Sequence, residues 1–67
     1  MDIKGQVGET SGKVWELLSR GGPQTFAQMQ KKLNVTTELL NLATGWLARE
    51  DKVNILDGKS GLRVQLK

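Results

Sequence analysis

Residues 33–51 read LNVTTELLNLATGWLARED, and the elements they imply decide the fold. Leu33-Asn34-Val35-Thr36 breaks the chain between a short amphipathic segment and a longer one, and Asn34 tolerates the left-handed backbone that a sharp turn needs. Thr36 or Thr37 is the expected N-cap of the longer segment, with Glu38 in its first turn opposite the positive end of the helix dipole. Successive side chains on a helix are turned by about 100°. That step gathers Leu39, Leu40, Ala43, Trp46 and Leu47 on one broad arc, with Leu42 at its edge, and this arc is the expected core side. The opposite face is Thr37, Asn41, Thr44, Gly45 and Ala48, flanked by Glu38 and Arg49. The helix is expected over about residues 37–50.

Beyond Glu50-Asp51-Lys52 the period changes from helical to two. Val53 and Ile55 alternate with Asn54, and Leu62, Val64 and Leu66 alternate with Arg63, Gln65 and Lys67. Two strands are expected, over about residues 52–57 and 61–66, each with one apolar face that closes the core. Asp57-Gly58-Lys59-Ser60-Gly61 supplies the turn chemistry of a hairpin between them.

Upstream, Val7, Ser11, Val14 and Leu18 recur at helical spacing, with Trp15 and Leu17 widening the stripe. A first helix over about residues 7–20 follows, starting somewhere between Ile3 and Thr10, since Gly5 and Gly8 each weaken a helix by about 1 kcal/mol relative to Ala. Glu9, Lys13, Glu16 and Arg20 face water. Gly21-Gly22 offers a left-handed C-cap, and Pro23 cannot continue the ladder. Gln24-Thr25 is the expected short first strand, and Thr25 with Gln28 forms a capping box for a second helix over about residues 26–33. Phe26, Met29 and Leu33 share one face of it; Lys31 and Lys32 point away.

The 67 residues make a single domain, residues 1–67, with 37% hydrophobic composition. A chain this short buries only about 60% of its unfolded surface. Its thin margin makes a homodimer an expectation. Without cysteine or histidine, disulfides and the usual zinc sites are excluded, and no metal or cofactor is expected. No apolar run approaches the roughly 20 residues of a membrane span, and the N-terminal residues lack the order of a signal peptide, so a cytoplasmic protein is expected. Ten Lys and Arg against seven Asp and Glu give a net charge of +3. That balance mildly favours a polyanionic partner, although the charge is spread evenly along the chain.

Helix, tight turn, helix and hairpin, preceded by one more helix, constitute an α+β winged helix-turn-helix: three helices plus a C-terminal two-stranded wing. VGETSGKVWELL (7–18) and LATGWLAREDKV (42–53) resemble a family of small stand-alone winged helix-turn-helix proteins of bacteria and archaea whose function is uncharacterised. The resemblance runs from about Gly8 to the wing. It implies the fold, and DNA binding by extension from the wider winged-helix class; it carries no catalytic motif.

No nucleophile and base can be paired from these residues, so no enzyme, no catalytic residue and no small-molecule substrate are expected. In a helix-turn-helix the second helix of the pair enters the major groove of double-stranded DNA. The expected base-edge residues are therefore Thr37, Glu38, Asn41 and Thr44, of which Asn41 can pair bidentately with adenine. No arginine, the commonest reader of guanine, stands on this face. Phosphate contacts would come from Lys31, Lys32, Arg49, Lys52, Lys59, Ser60 and Arg63. The expected function is a non-catalytic, transcription-regulator-like DNA-binding domain. The alternative is a protein-interaction or homodimerisation module of the same fold, in which the small residues of the third helix admit a partner.

Overall fold

The computed structural model describes residues 2–59 and 61–67. The elements run α1 (Ile3–Gly21), β1 (Gln24–Thr25), α2 (Phe26–Leu33), α3 (Thr37–Arg49), β2 (Val53–Gly58) and β3 (Gly61–Leu66). This is the winged helix-turn-helix arrangement, with both expected wing strands and the short first strand in place.

Local chemistry sets each boundary. The Asp2 carboxylate accepts from the Gly5 N–H at 2.9 Å and starts α1 at Ile3, four residues earlier than the apolar stripe alone marks. Gly5 and Gly8 are carried inside the helix. Gly22 ends it with φ 73° and ψ −159°, a conformation open to glycine but outside the left-handed helical well. Thr25 caps α2: its hydroxyl accepts from the Gln28 N–H at 3.1 Å, and the Gln28 side chain accepts from the Thr25 N–H at 2.9 Å. Asn34 takes the left-handed conformation (φ 53°, ψ 48°), and the Thr36 hydroxyl accepts from the Leu39 N–H at 3.2 Å to begin α3. The turn is thus shaped by the backbone of Asn34 and by the Thr36 hydroxyl acting on backbone.

The sheet order is β1-β3-β2, all antiparallel. β3 is its centre. Gln24 lies opposite Val64 and Thr25 opposite Arg63, while Val53 pairs with Leu66 and Ile55 with Val64. The core joins Val14 and Leu18 of α1, Met29 of α2, Leu40 and Leu47 of α3, and Val53 and Val64 of the wing. Each such burial contributes roughly 1.5–3 kcal/mol before the entropy of ordering is counted.

Three expectations change. Trp46, placed on the core arc by periodicity, is half exposed, as is Trp15 on α1. Thr44, placed on the outward face, is buried together with Leu40, Ala43 and Leu47. The buried arc of α3 is therefore turned toward the wing by about half of one residue step. The reason lies in the neighbours: α1 comes close at Ala43, where the Ser11 hydroxyl sits 3.4 Å from the carbonyl, and Trp46 stands at the margin of that contact beside Gly12 and Trp15, whereas Thr44 lies on the wing side of α3 beside Phe26, Ile55 and Leu62. Third, Ile55 and Leu62, assigned to the closing face of the wing, are also about half exposed. Leu62 pairs with Asp57 beside the hairpin tip and Ile55 stands on edge strand β2, so both lie beyond the cover that the helices give Val53 and Val64.

Candidate nucleic-acid interface

The segment that could read DNA is the N-terminal half of α3, and its exposed polar residues are Thr37, Glu38 and Asn41. Thr37 is already engaged, because the Gln30 amide nitrogen donates to its hydroxyl at 2.9 Å and to the Val35 carbonyl at 3.2 Å. This bridge ties α2 to the first turn of α3 and fixes the angle between them. Asn41 has its side chain free of protein partners among the described residues. Glu38 favours the helix dipole and opposes a nearby phosphate. Thr44 leaves this set as a correction: at 1% exposure it cannot meet a base edge, and its hydroxyl has no hydrogen-bond partner among the described residues.

The cations divide into three groups. Lys31 and Lys32 close the last turn of α2, directly before the helix-turn-helix break. Both are exposed, and the Lys32 ammonium donates to the Gln24 side-chain carbonyl at 3.1 Å, which steers it toward β1. Lys59 and Arg63 are exposed on the wing, with Arg63 on central strand β3 opposite Leu56 on one side and Thr25 on the other. Arg49 and Lys52 are exposed at the far end of α3. There Asp51 holds the Lys67 ammonium in an ion pair and has a positive φ of 62°. Arg49 and Lys52 thus belong to the opposite end of α3 from Lys31 and Lys32. Ser60 lies outside the described residues.

A groove missed by the sequence reading runs between α3 and the wing. It has a volume of about 340 Å³, and Phe26, Ile55 and Leu62 give it apolar walls beside Asn41, Thr44 and Gly45. The signal was present in the alternation of the wing strands, which carries apolar residues on toward the hairpin tip, past those the helices cover. Gly45 is exposed, and a Cβ there would meet nothing within 4 Å, so α3 offers bare backbone at the groove's rim.

Among the described residues no group of three or more carboxylates could hold a metal ion. No helix is long and apolar enough to cross a membrane. The arrangement can offer hydrogen bonds from Asn41, point charges from lysines and arginines, and apolar contact along the groove.

Comparison with known proteins agrees with the fold. The model of a family described as a winged helix-turn-helix domain (DUF2582) matches residues 1–66. The uncharacterised protein MJ1608 of the archaeon Methanocaldococcus jannaschii is 38% identical over 69 aligned residues, which span 98% of this chain and 97% of that one. The solution NMR structure of protein BT2368 from Bacteroides thetaiotaomicron superposes with a TM-score of 0.83 at 36% identity, covering 98% of this chain and 79% of that one.

Proposed function

Because the chain belongs to the winged helix-turn-helix domain family DUF2582, we propose that it binds duplex DNA without catalysis, as a transcription-regulator-like domain. α3 lies in the major groove with Asn41 toward the bases, and the wing approaches the adjoining backbone. The observation that carries this reading is the exposure of Lys31 and Lys32 on one neighbour of α3 and of Lys59 and Arg63 on the other, with Asn41 and the bare backbone of Gly45 between. With no arginine on the exposed face of α3 before Arg49, affinity comes mainly from phosphates and sequence preference is modest.

A salt titration on mixed-sequence duplex tests this directly. Neutralising about five phosphates gives a slope near −4.5, so affinity falls by two to three orders of magnitude between about 50 and 200 mM salt. Absence of binding at about 50 mM salt defeats the proposal.

A second reading has its own support. The apolar walls of the groove, exposed Ile55 and Leu62 with partly buried Phe26, suit a protein segment as well as thymine methyl groups. On that reading the fold is an interaction module, and replacing Ile55 and Leu62 with Ser abolishes partner capture while any duplex affinity keeps its salt slope.

A further inference from the structure

The groove between α3 and the wing sets two chemistries side by side. Asn41 and the bare backbone of Gly45 stand along its α3 side, and both are exposed. Ile55 and Leu62, 41% and 49% exposed, face them from the wing, with partly buried Phe26 beside them and Thr44 as the floor. No charged side chain lines the groove; the Asp57 carboxylate, opposite Leu62, is exposed outside that lining.

This lining selects which part of a duplex the groove can hold. A phosphate is a poor occupant, because an uncharged apolar wall would strip its water and return neither cation nor donor. Of the base edges in the major groove, guanine presents N7 and O6, adenine N7 and N6, and cytosine an amino group, all polar. Thymine alone adds a methyl group, beside its O4. That methyl stands on the side of the major groove nearest its own sugar-phosphate strand, which is the side the wing approaches when α3 occupies the groove.

The order of groups then matches on both sides. Across a T·A pair the methyl comes first, then O4, then the adenine N6 and N7. Across the protein the apolar wall of Ile55 and Leu62 comes first, then Asn41, whose amide suits N6 and N7. Successive thymines on one strand follow at about 3.4 Å, so their methyls form a ridge. A methyl takes up about the volume of one water, roughly 30 Å³, and the groove, at about 340 Å³, has room for more than one.

We infer that the protein prefers A·T sequence with thymines running along the strand beneath the wing, a preference that rests on the DNA binding proposed above. Phe26, Ile55 and Leu62 take the thymine methyls, and Asn41 takes adenine on the opposite strand. The discrimination needs no arginine, and it distinguishes T·A from A·T as well as from G·C, because only one orientation puts the methyl toward the wing.

Deoxyuridine differs from thymidine only by that methyl and keeps every hydrogen-bonding group, so exchanging the two tests the contact. The wild-type chain is offered, in competition at about 50 mM salt, a duplex with a thymine run and the same duplex with deoxyuridine in the run. Thymine is expected to be favoured about fourfold for one methyl removed from water and more for two, with the salt slope unchanged. A Cβ at Gly45 would meet nothing within 4 Å, so Gly45→Leu puts its side chain into the open groove while strengthening α3. That chain is expected to lose the preference of thymine over uracil; because the readout is a ratio, a general fall in affinity does not imitate it. Equal affinity of the wild-type chain for the two duplexes, with its salt slope intact, overturns the inference while DNA binding stands, and leaves the groove to a protein segment. A Gly45→Leu chain that keeps the full preference also overturns it, since the methyl is then read elsewhere. Absence of binding to either duplex overturns both readings.

Discussion

Gln30 of α2 and Thr37 of α3 are joined at 2.9 Å by a hydrogen bond from the glutamine amide to the threonine hydroxyl, across the turn that separates their helices. The same amide reaches the Val35 carbonyl at 3.2 Å. One side chain therefore satisfies the irregular backbone of the turn and holds the first residue of α3. Gln30→Ala removes both bonds and is expected to cost about 1–2 kcal/mol. In a domain of this size that lowers the midpoint of thermal unfolding by roughly 4–16 °C. An unchanged midpoint would mean that the bridge contributes nothing net of its solvation.

Thr44 calls for the opposite change. Its hydroxyl is buried without a partner, so Thr44→Val keeps the volume and removes an unsatisfied polar group. A gain of about 1 kcal/mol is expected in denaturant unfolding. Destabilisation instead would reveal a water or backbone partner for that hydroxyl.

Asn34 sits in the left-handed well at φ 53°. Valine there incurs the Cβ clash and is expected to destabilise by about 1–2 kcal/mol, whereas glycine should be close to neutral. Comparing the two variants by chemical denaturation separates backbone strain from loss of the asparagine side chain, because both lack the amide.

On the proposed DNA surface, the wing and α3 are expected to act differently. Replacing Lys59 and Arg63 together with Ala should weaken binding to every duplex about equally and flatten the salt slope by about two contacts, roughly 1.8 log units per log unit of salt. Asn41→Ala should alter preference among sequences with little effect on the slope. Competition binding against a panel of duplexes reads both. A wing variant that alone changes preference contradicts this division.

The elements of the fold were legible in the sequence because each boundary is chemically local: Thr25 with Gln28, Asn34, Thr36 and the change of period after Lys52 act within four residues. Positions that depend on distant neighbours were not. Helical periodicity ranks Trp46 above Thr44 as a core residue, since it counts hydrophobicity and does not register that the wing packs over the Thr44 side of α3. Likewise alternation marks Ile55 and Leu62 as apolar without saying that one stands on an edge strand and the other beside the hairpin tip. For the candidate interface, the exposed cations were found from sequence because lysine and arginine are rarely buried. The groove between α3 and the wing was not, since it is made by elements that meet only in three dimensions. In the sequence Gly5 and Gly8 mark only an uncertain helix start, and the open space beside Gly8 and Gly12 exists only in the folded arrangement of α1 and α3.

The strand order carries a consequence for how the protein is made. β3 is the middle of the sheet and also the last of the described elements to be synthesised. Gln24 and Thr25 must wait for Val64 and Arg63, some forty residues later, before either finds its partner. While the chain is still on the ribosome, α1, α2 and α3 can form but their shared apolar side stays open. Closing the sheet therefore comes as one late event that completes the body and presents the wing together, and a nascent chain stalled before β3 is exposed to chaperones and proteases with its core residues uncovered.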